Sequence, residues 1–216
     1  MVSVFIKAAI IVVVVFLANV LIVKSIEDQR EFDIQSKLNE IEKDSQVSRL
    51  LLLYMQTLEE DQKKSICPAL DKQASDQILK ANRLAYSIDQ YREANLIQNL
   101  QQAREKYILQ DAELWLYLKQ LEKVCGIQKV IPILYFYPEK TACLECQAQA
   151  EILNSYRDQC RNVRVFAFPA NREFGIIQVL TARYNVTKTP SLVIKDITYE
   201  GIIPKSTLEE HVECEK

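Results

Sequence analysis

Three hydrophobic textures follow one another along the chain. From Ala8 to Val23 there is no charge, and Ile, Val, Leu and Phe dominate. A run that is apolar on every side of a helix suits lipid better than a water-facing surface. At about 1.5 Å per residue it covers roughly 24 Å, and Val2 to Ile6 extend it to about 20 residues if Lys7 reaches the headgroups. No small-x-small cleavage site follows: the run continues through Val20, Leu21, Ile22 and Val23 into Lys24 and Ser25, and a helical pattern goes on beyond it. An uncleaved anchor is therefore expected over a cleaved signal peptide.

The second texture is helical. Residues 25 to 124 hold no glycine and one proline, Pro68. Apolar residues recur at helical spacing as Val47, Leu51, Tyr54 and Leu58, then Ala74, Ile78, Ala81, Ala85 and Ile88, then Leu96, Leu100, Ala103, Tyr107, Leu114, Leu118 and Leu121. Pro68 suits the first turn of a new helix. The pattern predicts a stalk helix to about Lys64 and two further helices, divided near Asp89 to Glu93, that pack back as an antiparallel bundle. Phe32, Ile34, Leu38 and Ile41 are roughly heptad-spaced, the basis for a homodimer through this region. If the second helix runs back and the third returns, Cys67 and Cys125 meet at one end of the bundle as a structural disulfide.

The third texture begins at Cys125 and Gly126. All three glycines and five of the six prolines lie from here on, so short elements with tight turns replace long helices. Lys129 to Tyr137 reads as a buried strand, Ala142 to Cys160 as a helix, Val163 to Phe168 as a strand and Arg172 to Tyr184 as a helix. Ser191 to Lys195 and Thr198 to Ile203 read as a hairpin, and Thr207 to Glu213 as a closing helix. A helix between two strands implies a parallel pair. The divisions are an anchor over 1–24, a helical stalk or bundle over 25–125 and an α/β domain over 126–216, with a central mixed sheet flanked by helices.

A net charge of −2 supplies no basic excess for nucleic acid. The chemistry lies in Cys143 and Cys146, at a strand-to-helix junction. Residues three apart in the first turn of a helix share a face, close enough for their sulfurs to bond. The first also sits where unpaired N–H groups and the helix dipole stabilise a thiolate, the attacking species in disulfide exchange. Cys143 is thus the expected nucleophile and Cys146 the resolving thiol, with the redox-active disulfide itself in place of a cofactor. A metal site would need four ligands, and Cys160, Cys214 and the single histidine, His211, offer no second close pair, so no metal is expected. Glu139, Lys140 and Glu145 are nearby titratable groups, read as solvated loop residues.

The stretches Ile131 to Ala150 and Tyr184 to Ile194 resemble a thioredoxin-fold protein: a strand, CxxC on a helix, then Y-x-V-x-x-T-P and another strand. The resemblance covers Lys129 to Lys216. It implies that Pro190 is cis and faces Cys143, that the Thr189 backbone pairs with an extended substrate peptide, and that protein thiols and disulfides are the partners. It also places the ends of the CxxC helix and the closing helix side by side, so that Cys160 and Cys214 either pair or remain free thiols near a terminus. The chain departs from the family at Ala142, where an aromatic residue is frequent, and at Leu134 and Tyr135, where members often bury an acid. These departures support a second reading, a redox-inert interaction scaffold in a membrane complex.

A literal count of Lys7 against Lys24, Arg30, Lys37 and Lys43 would keep the bulk of the chain in the cytoplasm. Large downstream domains cross largely regardless of such charges, and paired cysteines belong outside a reducing compartment. The expectation is a single-pass protein of the cell membrane, with its C-terminal domain on the extracytoplasmic side.

Overall fold

The computed structural model describes residues 2–93, 97–139 and 142–215. The elements, in chain order, are α1 (Val2–Thr57), α2 (Glu60–Glu93), α3 (Ile97–Cys125), β1 (Ile131–Tyr137), α4 (Leu144–Gln159), β2 (Val163–Pro169), α5 (Gly175–Arg183), β3 (Ser191–Ile194), β4 (Ile197–Glu200) and α6 (Lys205–His211). They fall into two compact units, Met1–Asp44 and Ser45–Lys216.

The first unit consists of the amino-terminal part of α1. Within it, Ile6–Ile26 is 21 residues long and apolar enough to cross a membrane, with none of it buried inside the protein. Phe32 is exposed; the side chains of Ile34, Leu38 and Ile41, on which the heptad expectation rests, lie outside the described residues.

The second unit joins a helical bundle to a four-stranded sheet of order β2-β1-β3-β4. β1 and β2 are parallel, as the intervening helix requires, and the other two pairings are antiparallel. Side chains of a strand alternate between faces, and β1 buries both. Ile133 and Tyr135 pack with Cys146, Leu153 and Tyr156 of α4 and Leu208 of α6. Leu134 and Phe136 face the other way, into a larger cluster with Trp115, Tyr117 and Leu121 of α3 and Ile177 and Leu180 of α5. That cluster continues through Leu70 and Ala74 of α2 to Met55 of α1, so bundle and sheet share one core. The change of texture at Cys125 and Gly126 falls inside this unit.

Three differences from the sequence expectations have physical causes. α1 ends at Thr57 rather than near Lys64, and Pro68 lies inside α2, not in its first turn. An interior proline loses one helical hydrogen bond and costs about 3 kcal/mol. Burial of Leu70 and Ala74 just beyond it and the Cys67–Cys125 link oppose that cost. The hairpin turns at Lys195 and Asp196, both at positive φ (49° and 63°), so β4 starts at Ile197 and ends at Glu200, short of Ile203. A two-residue hairpin of type I′ needs positive φ at both turn positions, usually from Asn-Gly, and here a charged pair adopts it. Asp196 is held by Tyr184 Oη at 2.7 Å and Lys119 Nζ at 3.0 Å.

Edge strand β2 is fastened to the bundle by a buried polar group. Arg164 donates to Asn82 Oδ1 at 2.8 Å and to Asp111 Oδ1 at 2.9 Å. Burial pushes the Asp111 carboxyl up, while Arg164 and Tyr107 oppose that by favouring the carboxylate.

Candidate functional site

Cys143 occupies the N-cap of α4, and Cys146 lies in the first helical turn. At an N-cap the backbone is still extended while the first helical N–H groups point back toward it. The Cys143 φ of −135° and ψ of 96° meet that condition, and its Sγ accepts from the Cys146 N–H at 3.1 Å. Sulfur thus takes the place that a serine or aspartate oxygen fills in other helices. The two sulfurs are bonded at 2.01 Å, with Cα atoms 5.2 Å apart. Cys143 is half-buried, Cys146 only 6% exposed, and the intervening Leu144 projects outward at 83%. Of the pair, the more exposed residue is therefore the one at the helix end.

Behind the pair, Tyr135 donates its hydroxyl to the Cys146 carbonyl at 2.7 Å and stacks on Tyr137, ring centroids 5.6 Å apart. Burial pushes the Tyr135 phenol up to about 12, so it stays a donor at physiological pH. One turn along α4, the fully buried Gln149 brackets the backbone of Ile203. Its Oε1 accepts from the Ile203 N–H at 2.6 Å, and its Nε2 donates to the Ile203 carbonyl at 3.3 Å. The segment after β4 is thereby pinned to the CxxC helix. Tyr135 stood out in the sequence only as a position lacking an acid, and Gln149 not at all. A tyrosine in a strand and a glutamine in a helix carry no spacing signal for these hydrogen bonds, which depend on tertiary contact.

The Thr189–Pro190 peptide bond is cis. β3 starts immediately after it, and Ser191 pairs with Phe136 in the antiparallel register. Pro190 therefore sits at the same end of the sheet as the carboxyl end of β1, from which the chain leads to Cys143. The cysteine pair, Leu192 and Ile203 belong to one apolar cluster. Pro190 is buried and its carbonyl accepts from the Gly201 N–H at 2.8 Å; Thr189 is half-buried, and no backbone partner for it is found among the described residues.

The remaining predicted residues are placed as follows. Cys67–Cys125 and Cys160–Cys214 are at bonding distance, 2.02 and 1.99 Å, which leaves no free thiol in the chain. The carboxylate of Glu139 is engaged by Arg172, which also holds Glu105 at 2.9 Å, so Glu139 is a tethered group rather than a free one. Lys140 lies outside the described residues and Glu145 is exposed. His211 packs on Tyr199, ring centroids 5.2 Å apart.

Comparison of the chain with protein families, with curated proteins and with solved structures finds no match.

Proposed function

We propose that the chain is a membrane-anchored thiol–disulfide oxidoreductase of thioredoxin-like fold, working through Cys143 and Cys146 on the extracytoplasmic side. The observation that carries the reading is the half-buried Cys143 at the N-cap of α4, its sulfur bonded to that of the buried Cys146. Further support comes from the cis Thr189–Pro190 bond at the same sheet end, the strand–helix order from β1 onward and the flanking helices on both faces.

In the reducing direction, the Cys143 thiolate attacks one sulfur of a substrate disulfide and expels the other as a thiolate. Cys146, deprotonated, then attacks Cys143 Sγ, closes the Cys143–Cys146 bond and releases the second substrate thiolate. Two electrons pass to the substrate, and an external dithiol restores the pair; the oxidising direction is the reverse. The helix end lowers the energy of the Cys143 thiolate both as attacking and as leaving group. Thr189, with its backbone open, lines an extended substrate strand beside the pair. Ile6–Ile26 supplies the anchor, and three bonded cysteine pairs accord with an oxidising compartment.

The test is turnover of a fluorescent peptide disulfide by the reduced full-length chain. Activity that vanishes in Cys143→Ser supports exchange at this pair. Activity indistinguishable between wild type, Cys143→Ser and buffer would leave the redox-inert scaffold as the reading.

A further inference from the structure

The apolar span carries one polar side chain between Lys7 and Lys24 that has nothing to pair with in lipid. Asn19 lies near the middle of Ile6–Ile26 and is exposed on the helix surface. One of its amide N–H groups folds back onto the Val15 carbonyl at 2.7 Å, an oxygen that the helix already uses. The second N–H and the side-chain oxygen take no partner among the described residues. A polar group left unsatisfied in hydrocarbon is costly, and in membrane helices such groups turn toward another helix.

The residues around Asn19 specify the shape of that neighbour. Val12, Val15, Asn19, Ile22 and Ile26 follow the seven-residue seam spacing, with every apolar position β-branched. A single asparagine at an a position of such a seam specifies register and oligomeric state. An amide is also self-complementary, since the donor of one copy meets the acceptor of the other across a two-fold axis. All copies of a single-pass chain share one orientation in a membrane, so a parallel partner is always at hand. We infer that this span pairs in parallel with the span of a second copy of the chain, along the seam from Val12 to Ile26, with the two Asn19 amides hydrogen-bonded to each other.

The inference rests on the membrane-spanning reading of Ile6–Ile26 and is separate from the thiol chemistry. The full-length protein is reconstituted into phosphatidylcholine vesicles, extracted with carbonate to establish integration, and its self-association followed by energy transfer between labelled copies. The pairing predicts concentration-dependent transfer, weakened about five- to tenfold in Asn19→Leu and largely kept in Asn19→Gln. It also predicts oxidative cross-linking of Val12→Cys, on the seam, with little for Ile10→Cys on the opposite face. Integration without energy transfer, transfer unaffected by Asn19→Leu, or equal cross-linking at both positions would overturn the pairing while leaving the span intact. Release by carbonate would overturn the span and the pairing together.

Discussion

The two cysteines of α4 differ in ways that single residues can report. Cys143 sits at the helix end and is half-buried, whereas Cys146 is packed behind it under the Tyr135 hydroxyl. In the reduced protein at neutral pH, Cys143 is expected to be alkylated first, and by a wide margin, with Cys146 following only slowly. Peptide mass mapping of a timed alkylation checks this, and equal rates would remove the assignment of nucleophile and resolving thiol. Asp196 offers a second single-residue test. The Tyr184 hydroxyl holds its carboxyl below the usual carboxylate range, burial opposes this, and Lys119 reinforces it. A depressed folded pKa contributes stability above the unfolded value of about 3.9, which is lost as pH falls through the folded value. Asn tolerates the positive φ at this turn, so Asp196→Asn removes the charge with little backbone strain. The variant should unfold more easily than wild type at pH 7, with the difference shrinking below about pH 4. Denaturant titrations at the two pH values measure it, and a pH-independent difference would contradict the assignment.

At the scale of elements, the order of helices and strands was readable and several junctions were not. Gly126 stops α3 in a left-handed conformation (φ 68°), a signal open to inspection in a sequence. The end of α1 is different, because Thr57, Leu58 and Glu59 include no breaker residue, and only the return of α2 against Met55 requires the chain to turn there. Pro68 misplaces that boundary for the same reason, since local propensity yields to packing. The CxxC spacing and the Thr189–Pro190 turn were legible because their chemistry is local. Arg164 was not, because its partners Asn82 and Asp111 are far away in sequence. Arg164 also gives the element-scale prediction. Arg164→Ala strands the Asp111 carboxylate in the core and should cost about 3–5 kcal/mol, whereas Arg164→Met with Asp111→Leu should cost much less. Thermal or denaturant unfolding of both variants decides it, and equal losses would mean that the pair acts through packing volume rather than charge.

Across the molecule, the proposed exchange of disulfides beside a membrane draws on an apolar span, three bonded cysteine pairs and a CxxC at a helix end. Cys67–Cys125 closes a loop of 58 residues and Cys160–Cys214 one of 54, each worth about 4 kcal/mol in the chain-entropy model. In the proposed reading, those bonds secure the scaffold on which the Cys143–Cys146 pair would alternate between its two states. The measurement closest to the central claim is a trap. Full-length Cys146→Ser, expressed in its own membrane and quenched with acid, is resolved without reductant and again with it. Exchange predicts mixed disulfides that run as higher-mass species, collapse on reduction and disappear when Cys143→Ser is added to the same chain. A Cys146→Ser protein that shows no reducible adducts, or adducts that persist without Cys143, would contradict the account.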